Sequence, residues 1–387
     1  MKKTSGILFI ILILSAGNLF ASLRIQLTAP TVQGGPYNGY DAATIQAALN
    51  AGITQFQTEI DNSDLSSLNN QDKMATSFAD AAGYSAYSGS LDGYQGYDLF
   101  AFIAGVSTGI QVPSISLNAQ NMIDDIENEL KENKDASVGA GASGSINLGL
   151  NITPLKKKIG LRRVLRNRMY INFKYFTFSK DIEDYSFETT TYGIGLNYQL
   201  IDRKGGRFRL FKWTGLSVGT GFIHNKNDIT MKMDFDEYRS DPIVIQADTM
   251  YAQMGFTPET TFNLDITSNV IPVDISTSLR ILWIFNFTLG AGMDFTFGRS
   301  KIKANAVSDM KAYYCNTEGG TYTEIETAPG SGGAVIDADT SGEPALTHFR
   351  VTAGAGICLG PVPVDVKVNY YPVDDGVSVN VSTGVVW

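Results

Sequence analysis

The chain has 387 residues and a formal net charge of −9, and its 18% of charged residues falls below the roughly 25% usual for soluble domains. That acidic balance argues against nucleic acid as a partner. Two cysteines and two histidines, Cys315, Cys358, His224 and His348, give no close ligand spacing, so neither a metal site nor a cofactor is expected.

Lys2 and Lys3 precede an almost unbroken apolar run over residues 6–15, and Leu19-Phe20-Ala21 ends on a small residue suited to cleavage. This predicts a signal peptide over residues 1–21, whose loss removes two lysines and leaves −9 − 2 = −11. The run is too short for a comfortable membrane anchor, and no later stretch approaches the roughly twenty apolar residues of a spanning helix. Residues 22–96 differ from the rest: 41–60 and 71–82 have helical texture, with Ala42, Ile45, Leu49, Ile53 and Phe56 near one stripe, and 83–96 is a Gly/Tyr/Ser run that reads as loop. This segment is either a hatch inside a barrel or a periplasmic tail.

From residue 97 to the end the pattern has period two, which only a strand produces. Phe100, Phe102, Ala104 and Val106 mark a first strand. A polar helix is expected at 118–134. Ala140, Ala142, Ile146, Leu148 and Leu150 then alternate with Gly141, Ser143, Ser145, Asn147 and Gly149. The same polarity recurs around Phe173, Ile194, Val218, Ile275, Phe287 and Val351, and finishes in Val364, Val366, Val368 and Val377, Val379, Val381 before Trp387. Several strands exceed the five or six residues common in sandwiches and reach the nine to eleven that a tilted membrane strand needs. Their opposite faces carry Gly, Ser, Thr and Asn rather than the Lys and Glu of a solvated sheet, which suits a barrel interior.

The expected fold is therefore all-β: a closed antiparallel transmembrane β-barrel over residues 97–387 with about twelve strands, or fourteen. Residues 202–206, 283 and 360–361 read as short turns, and 226–256 and 301–347 as long polar loops. The stretches 229–235 and 262–266 read as poor strands. Cys315 and Cys358 leave a disulfide or two free thiols open.

Inward-facing charges are the candidate site. Asp274 and Asp294 fall at similar heights, with Arg350 comparably placed, while Arg280, Asp365 and Lys367 lie nearer the periplasmic end. Such a set either forms a selective constriction or neutralises itself and braces the wall. The basic stretch 156–168 reads as an interfacial helix or a solvated turn. No catalytic residue is assigned: His348 either faces the lumen close to Arg350 or, as a lone histidine at a strand end, is a girdle residue, and no enzyme is expected.

Signal, alternating strands and the terminal Trp387 resemble the bacterial outer-membrane β-barrel superfamily, whose last strand serves as an assembly signal; the family more often ends in Phe. By layout and Gly-rich strand style over residues 97–387 the chain also resembles the long-chain fatty-acid transporter family. The resemblance implies the outer membrane of a diderm bacterium, and outer-membrane lipid and the assembly machinery as partners. It also implies a channel or transporter for small molecules, hydrophobic compounds such as fatty acids first and small polar solutes second. A surface adhesin that uses the long loops is the rival.

Overall fold

The structure, a computed structural model, describes residues 22–37, 39–62, 71–90, 97–111, 139–154, 167–202, 210–235, 237–240, 242–246, 250–282, 284–315 and 320–387. The signal peptide expected at 1–21, the helix expected at 118–134 and nearly all of the basic stretch 156–168 lie outside those residues. In chain order the elements are β1 (Ser22–Thr28), α1 (Ala42–Asn62), α2 (Gln71–Ser85), β2 (Phe100–Gln111), β3 (Gly139–Asn151), β4 (Met169–Ile182), β5 (Tyr185–Ile201) and β6 (Phe211–Asp234). There follow β7 (Tyr238–Arg239), β8 (Ile243–Gln246), β9 (Met250–Phe256), β10 (Glu259–Ile281), β11 (Phe285–Cys315), β12 (Thr323–Glu324) and β13 (Gly333–Gly342). The last three are β14 (Thr347–Leu359), β15 (Val362–Tyr371) and β16 (Gly376–Val386).

Twelve strands form the main antiparallel path, β1-β13-β11-β10-β6-β5-β4-β3-β2-β16-β15-β14, and the pairing of β14 with the first half of β11 closes ten of them into a ring. Following paired residues from Phe297 through Asn269, His224, Tyr192, Tyr175, Ile146, Ala104, Thr383, Val364 and Ile357 returns to β11 at Phe285, twelve residues below the start (297 to 285). A stagger of that size over ten strands tilts them by roughly 40° at the usual strand spacings. β3 and β4 pair only along their periplasmic halves, Ile146 to Asn151 against Tyr175 to Tyr170.

The apolar residues face out. Phe102, Val106, Ile194, Leu289, Val351 and Val381 are exposed, while Ser107, Asn147, Ser276, Thr288, Asn369 and Ser382 are buried on the opposite face. A closed ring with a greasy exterior and a polar interior leaves no backbone edge against hydrocarbon, which is the condition for spanning a membrane with strands. The molecule is thus an outer-membrane β-barrel, its periplasmic end marked by the C-terminus, the Leu282–Ile284 reversal and the Gly360–Pro361 turn. Gly360 adopts φ 65° there, a conformation that costs glycine little.

The long loops expected over 226–256 and 301–347 are instead largely strand. β6, β10 and β11 continue past the ring, and β13 pairs β11 from Ser300 to Asp309, directly above β14 on the same neighbour. The stretches 229–235 and 262–266, weak by alternation, belong to β6 and β10 and pair with each other through Leu264–Ile229 and Phe262–Met231. Above the ring, β7, β8, β9 and β12 assemble on the end of β11, and α1 covers them. Asp41 caps α1, accepting hydrogen bonds from Thr44 N at 2.8 Å and Thr44 Oγ1 at 2.6 Å, and these hold its carboxyl below the usual range. This dome has its own apolar core, including Ile45, Leu49, Met250, Met254, Met310 and Ile325.

Candidate functional site: the lumen and the chain within it

α2 runs inside the ring, against β2, β3, β10, β11, β13 and β16. Its backbone comes so close to the wall that a side chain is excluded there: a Cβ on Gly139 would lie 2.0 Å from Ser77 O, and one on Gly109 would lie 2.3 Å from Ala81 O. Glycine at these inward positions is what lets a helix fit the bore.

Beyond the helix, residues 85–90 descend through the lumen, and the wall claims every main-chain carbonyl in turn. Ser143 Oγ donates to Ser85 O, Lys174 Nζ to Ala86 O at 2.8 Å, Asn380 Nδ2 to Tyr87 O and Ser145 Oγ to Ser88 O at 2.5 Å. Asn147 Nδ2 donates to Gly89 O at 2.9 Å, and Lys367 Nζ to Ser90 O at 2.9 Å. A non-helical segment away from water needs such partners, because each unmet carbonyl costs about 1–3 kcal/mol. The small polar residues on the inner face, read from the sequence as a lumen lining, are the donors.

Two side-chain clusters pin the same segment. Tyr87 donates its hydroxyl to Asp294, Arg350 Nε lies 3.2 Å from Asp294 Oδ2, and the guanidinium sits 3.7 Å from the centre of the Tyr87 ring. Nearer the dome, Tyr84 stacks on Tyr371 with centroids 4.0 Å apart and meets His348 edge-on at 5.1 Å. His348 Nδ1 is 2.9 Å from Asp374 Oδ2, and its Nε2 is 3.4 Å from Asp80 Oδ1. Of the two readings of His348 the lumen-facing one applies and the girdle one does not: position 348 shares the inward parity of Arg350, so its ring meets the α2 carboxylate.

The expected site residues separate into groups. Asp294 and Arg350 are paired and almost fully buried. Asp274 lies on one rung with Gly292 and Arg350, one inward position below Asp294. Arg280 sits lower, level with Asn286 and Lys212. Asp365 accepts from Asn286 Nδ2 at 3.5 Å, and Lys367 is bonded to Ser90, so neither joins the first cluster. Trp387 closes the periplasmic rim, donating from its N to Phe100 O at 2.9 Å and accepting from Leu99 N at 2.9 Å. Tyr84, Tyr87, Asp80, Asp374 and Lys174 were not singled out by sequence; the small and aromatic residues of 83–90 were the only signal. Both cysteines are free and buried, and the described residues contain no cluster of His, Cys, Asp and Glu able to hold a metal.

A cavity of about 70 Å³ opens beside residues 87–90, between them and the wall of β3, β4, β5, β6 and β10.

Fold and site together define an outer-membrane β-barrel of a diderm bacterium whose bore holds part of its own N-terminal region. The chain belongs to the Lsa36-like family, whose family model matches residues 26–387; this match lends no support to the fatty-acid transporter likeness. No curated protein matches the chain. Similar solved structures include the translocator domain of the autotransporter NalP from Neisseria meningitidis, at 9% identity, TM-score 0.24, covering 75% of this chain and 89% of that one. The toluene transporter TbuX of Ralstonia pickettii matches at 7% identity, TM-score 0.24, over 81% and 99%. The outer membrane protein Omp33 of Acinetobacter baumannii matches at 10% identity, TM-score 0.23, over 76% and 100%. At such scores these likenesses carry no weight for function.

Proposed function

We propose that the protein is an outer-membrane channel for small polar solutes, held shut by residues 71–90. The observation that carries this reading is the character of the bore beside residues 85–90: the wall there presents Ser, Asn and Lys side chains, and it holds the chain through hydrogen bonds to its main-chain carbonyls. A hydrophobic permeant passing this wall would leave polar atoms without partners, so the polar alternative is preferred over fatty acids. Hydrogen bonds of this kind exchange readily for bonds to water, which lets the segment shift without melting the ring. On this reading the Asp294–Arg350 pair with Tyr87 is the latch, Asp274, Arg280, Asp365 and Lys367 line the path once it opens, and Trp387 serves assembly.

The test is single-channel recording with the full mature chain in planar bilayers. Rare, brief openings are expected, becoming frequent in Tyr87→Ala, which removes the aromatic ring from between the wall groups. Silence in both proteins would favour the second reading, a surface adhesin anchored by the barrel. That reading has one observation of its own: the dome is a folded platform with an independent core, raised above the membrane on β11.

A further inference from the structure

The cavity beside residues 87–90 has a chemistry that none of the preceding roles uses. Its wall on β5 and β6 is bare, because the inward positions there are Gly193, Gly195 and Gly221, with Gly195 paired to Gly221 on one side and to Asn172 on the other. Three carboxamides surround the space: Asn147, Asn172 and Asn197. Asn147 commits its Nδ2 to Gly89 O at 2.9 Å, and Asn172 commits its Nδ2 to Asn197 Oδ1 at 2.9 Å. The Oδ1 atoms of Asn147 and Asn172 are thereby left buried with no hydrogen-bond partner. Asp274 adds a carboxylate, and Lys174 adds an ammonium that already bonds Ala86 O at 2.8 Å.

We propose that this cavity is a binding site for a small, neutral, hydroxyl-rich solute. Two bare amide oxygens need hydrogen-bond donors, and a hydroxyl group both donates to them and accepts from the neighbouring ammonium and amide protons. An anion would face Asp274 and the two amide oxygens; a cation would face Lys174. An apolar guest would leave both oxygens buried and unmet, the costly outcome. The proposal rests on the channel reading only in putting this site on the permeation path.

The experiment is equilibrium dialysis of radiolabelled glucose against the purified full mature chain in detergent, with galactose, choline and acetate as competitors. Saturable glucose binding is expected, competed by galactose and unaffected by choline or acetate. Asn172→Leu should weaken it by about tenfold or more, the scale on which losing a buried polar partner acts. Gly195→Leu should abolish it by filling the space. The ring tolerates a Cβ at that position, since its nearest neighbours would be Asn172 Nδ2 at 3.5 Å and Thr220 O at 3.6 Å, and heat-modifiable electrophoretic mobility reports that each variant has folded. No saturable glucose binding in the parent, unchanged affinity in both folded variants, or better competition by choline or acetate than by galactose would overturn the site. Liposome swelling separates the two readings: binding without swelling leaves the site and removes the channel, whereas swelling without saturable binding does the reverse.

Discussion

Strand β11 passes through both halves of the molecule, and its side chains change their logic partway up. From Phe285 to Phe297 its outward residues are Phe, Phe, Leu, Ala, Met, Phe and Phe, and its inward ones are Asn286, Thr288, Gly290, Gly292, Asp294 and Thr296. Above, the outward residues become Arg299, Lys301, Lys303 and Asn305, and the inward ones Ile302, Ala304, Ala306, Met310 and Ala312. One backbone, one pairing partner in β10 and one period of two serve both halves. What reverses is the solvent: lipid outside and a hydrogen-bonded bore below, water outside and an apolar core above. Stability in the lower half therefore comes from polar complementarity inside, and in the upper half from burial of hydrocarbon.

The sharpest way to break that contrast is at the buried ion pair. Asp294→Ala leaves Arg350 buried opposite Tyr87 without its carboxylate, and about 3–5 kcal/mol of destabilisation is expected for an orphaned charge, measured by urea unfolding in detergent micelles. A smaller loss would mean that water reaches the pair, and the lower half would then be wetter than described. Next comes an arginine placed on each outward face. Leu289→Arg should cost about 2–4 kcal/mol in lipid vesicles, as for a charge near mid-membrane, while Val307→Arg on the same strand should stay within about 0.5 kcal/mol. Equal effects would erase the boundary between Phe297 and Arg299.

Lys367→Met removes the donor to Ser90 O and should cost about 1–3 kcal/mol, seen in channel recordings as more frequent openings, with an altered open conductance because the same ammonium lines the open path. The smallest effect belongs to the dome and to pH. Burial pulls the Glu237 carboxyl up, but hydrogen bonds from Tyr313 and Arg239 outweigh it and hold the group below its usual range. A depressed folded value means that the contribution is present above the unfolded pKa and is lost as pH falls through the folded one. Hydrogen exchange at Met250–Phe256 should therefore speed up on acidification below the ordinary carboxylate range while the ring stays protected.

Legibility in the sequence followed the same divide. For the ring the alternation sufficed: Val364, Val366 and Val368 face out and Asp365, Lys367 and Asn369 face in, as their parity requires. The turn at 360–361 also follows from local pattern. In β6 and β10 the pattern failed above the membrane, because Lys226, Asp228 and Asp265 on the water-facing side resemble loop residues once lipid no longer selects what they may be. Parity alone decides the face of a strand residue, and Asp294, Arg350, Asp365 and Lys367 are buried in the bore. Their partners do not follow from parity, because Tyr87 and Asp80 come from chain segments more than two hundred residues away from Asp294 and His348.

The sequence by itself determined that long strands with one apolar face would close on themselves in a membrane, because side-chain parity is a local property and lipid accepts only one face. Only the tertiary structure decided what the inner face is for. The donors on the wall are spaced along β3, β4, β15 and β16, and the carbonyls they meet lie consecutively in residues 85–90. That match is produced by the stagger of the closed ring, which no single strand carries in its own residues.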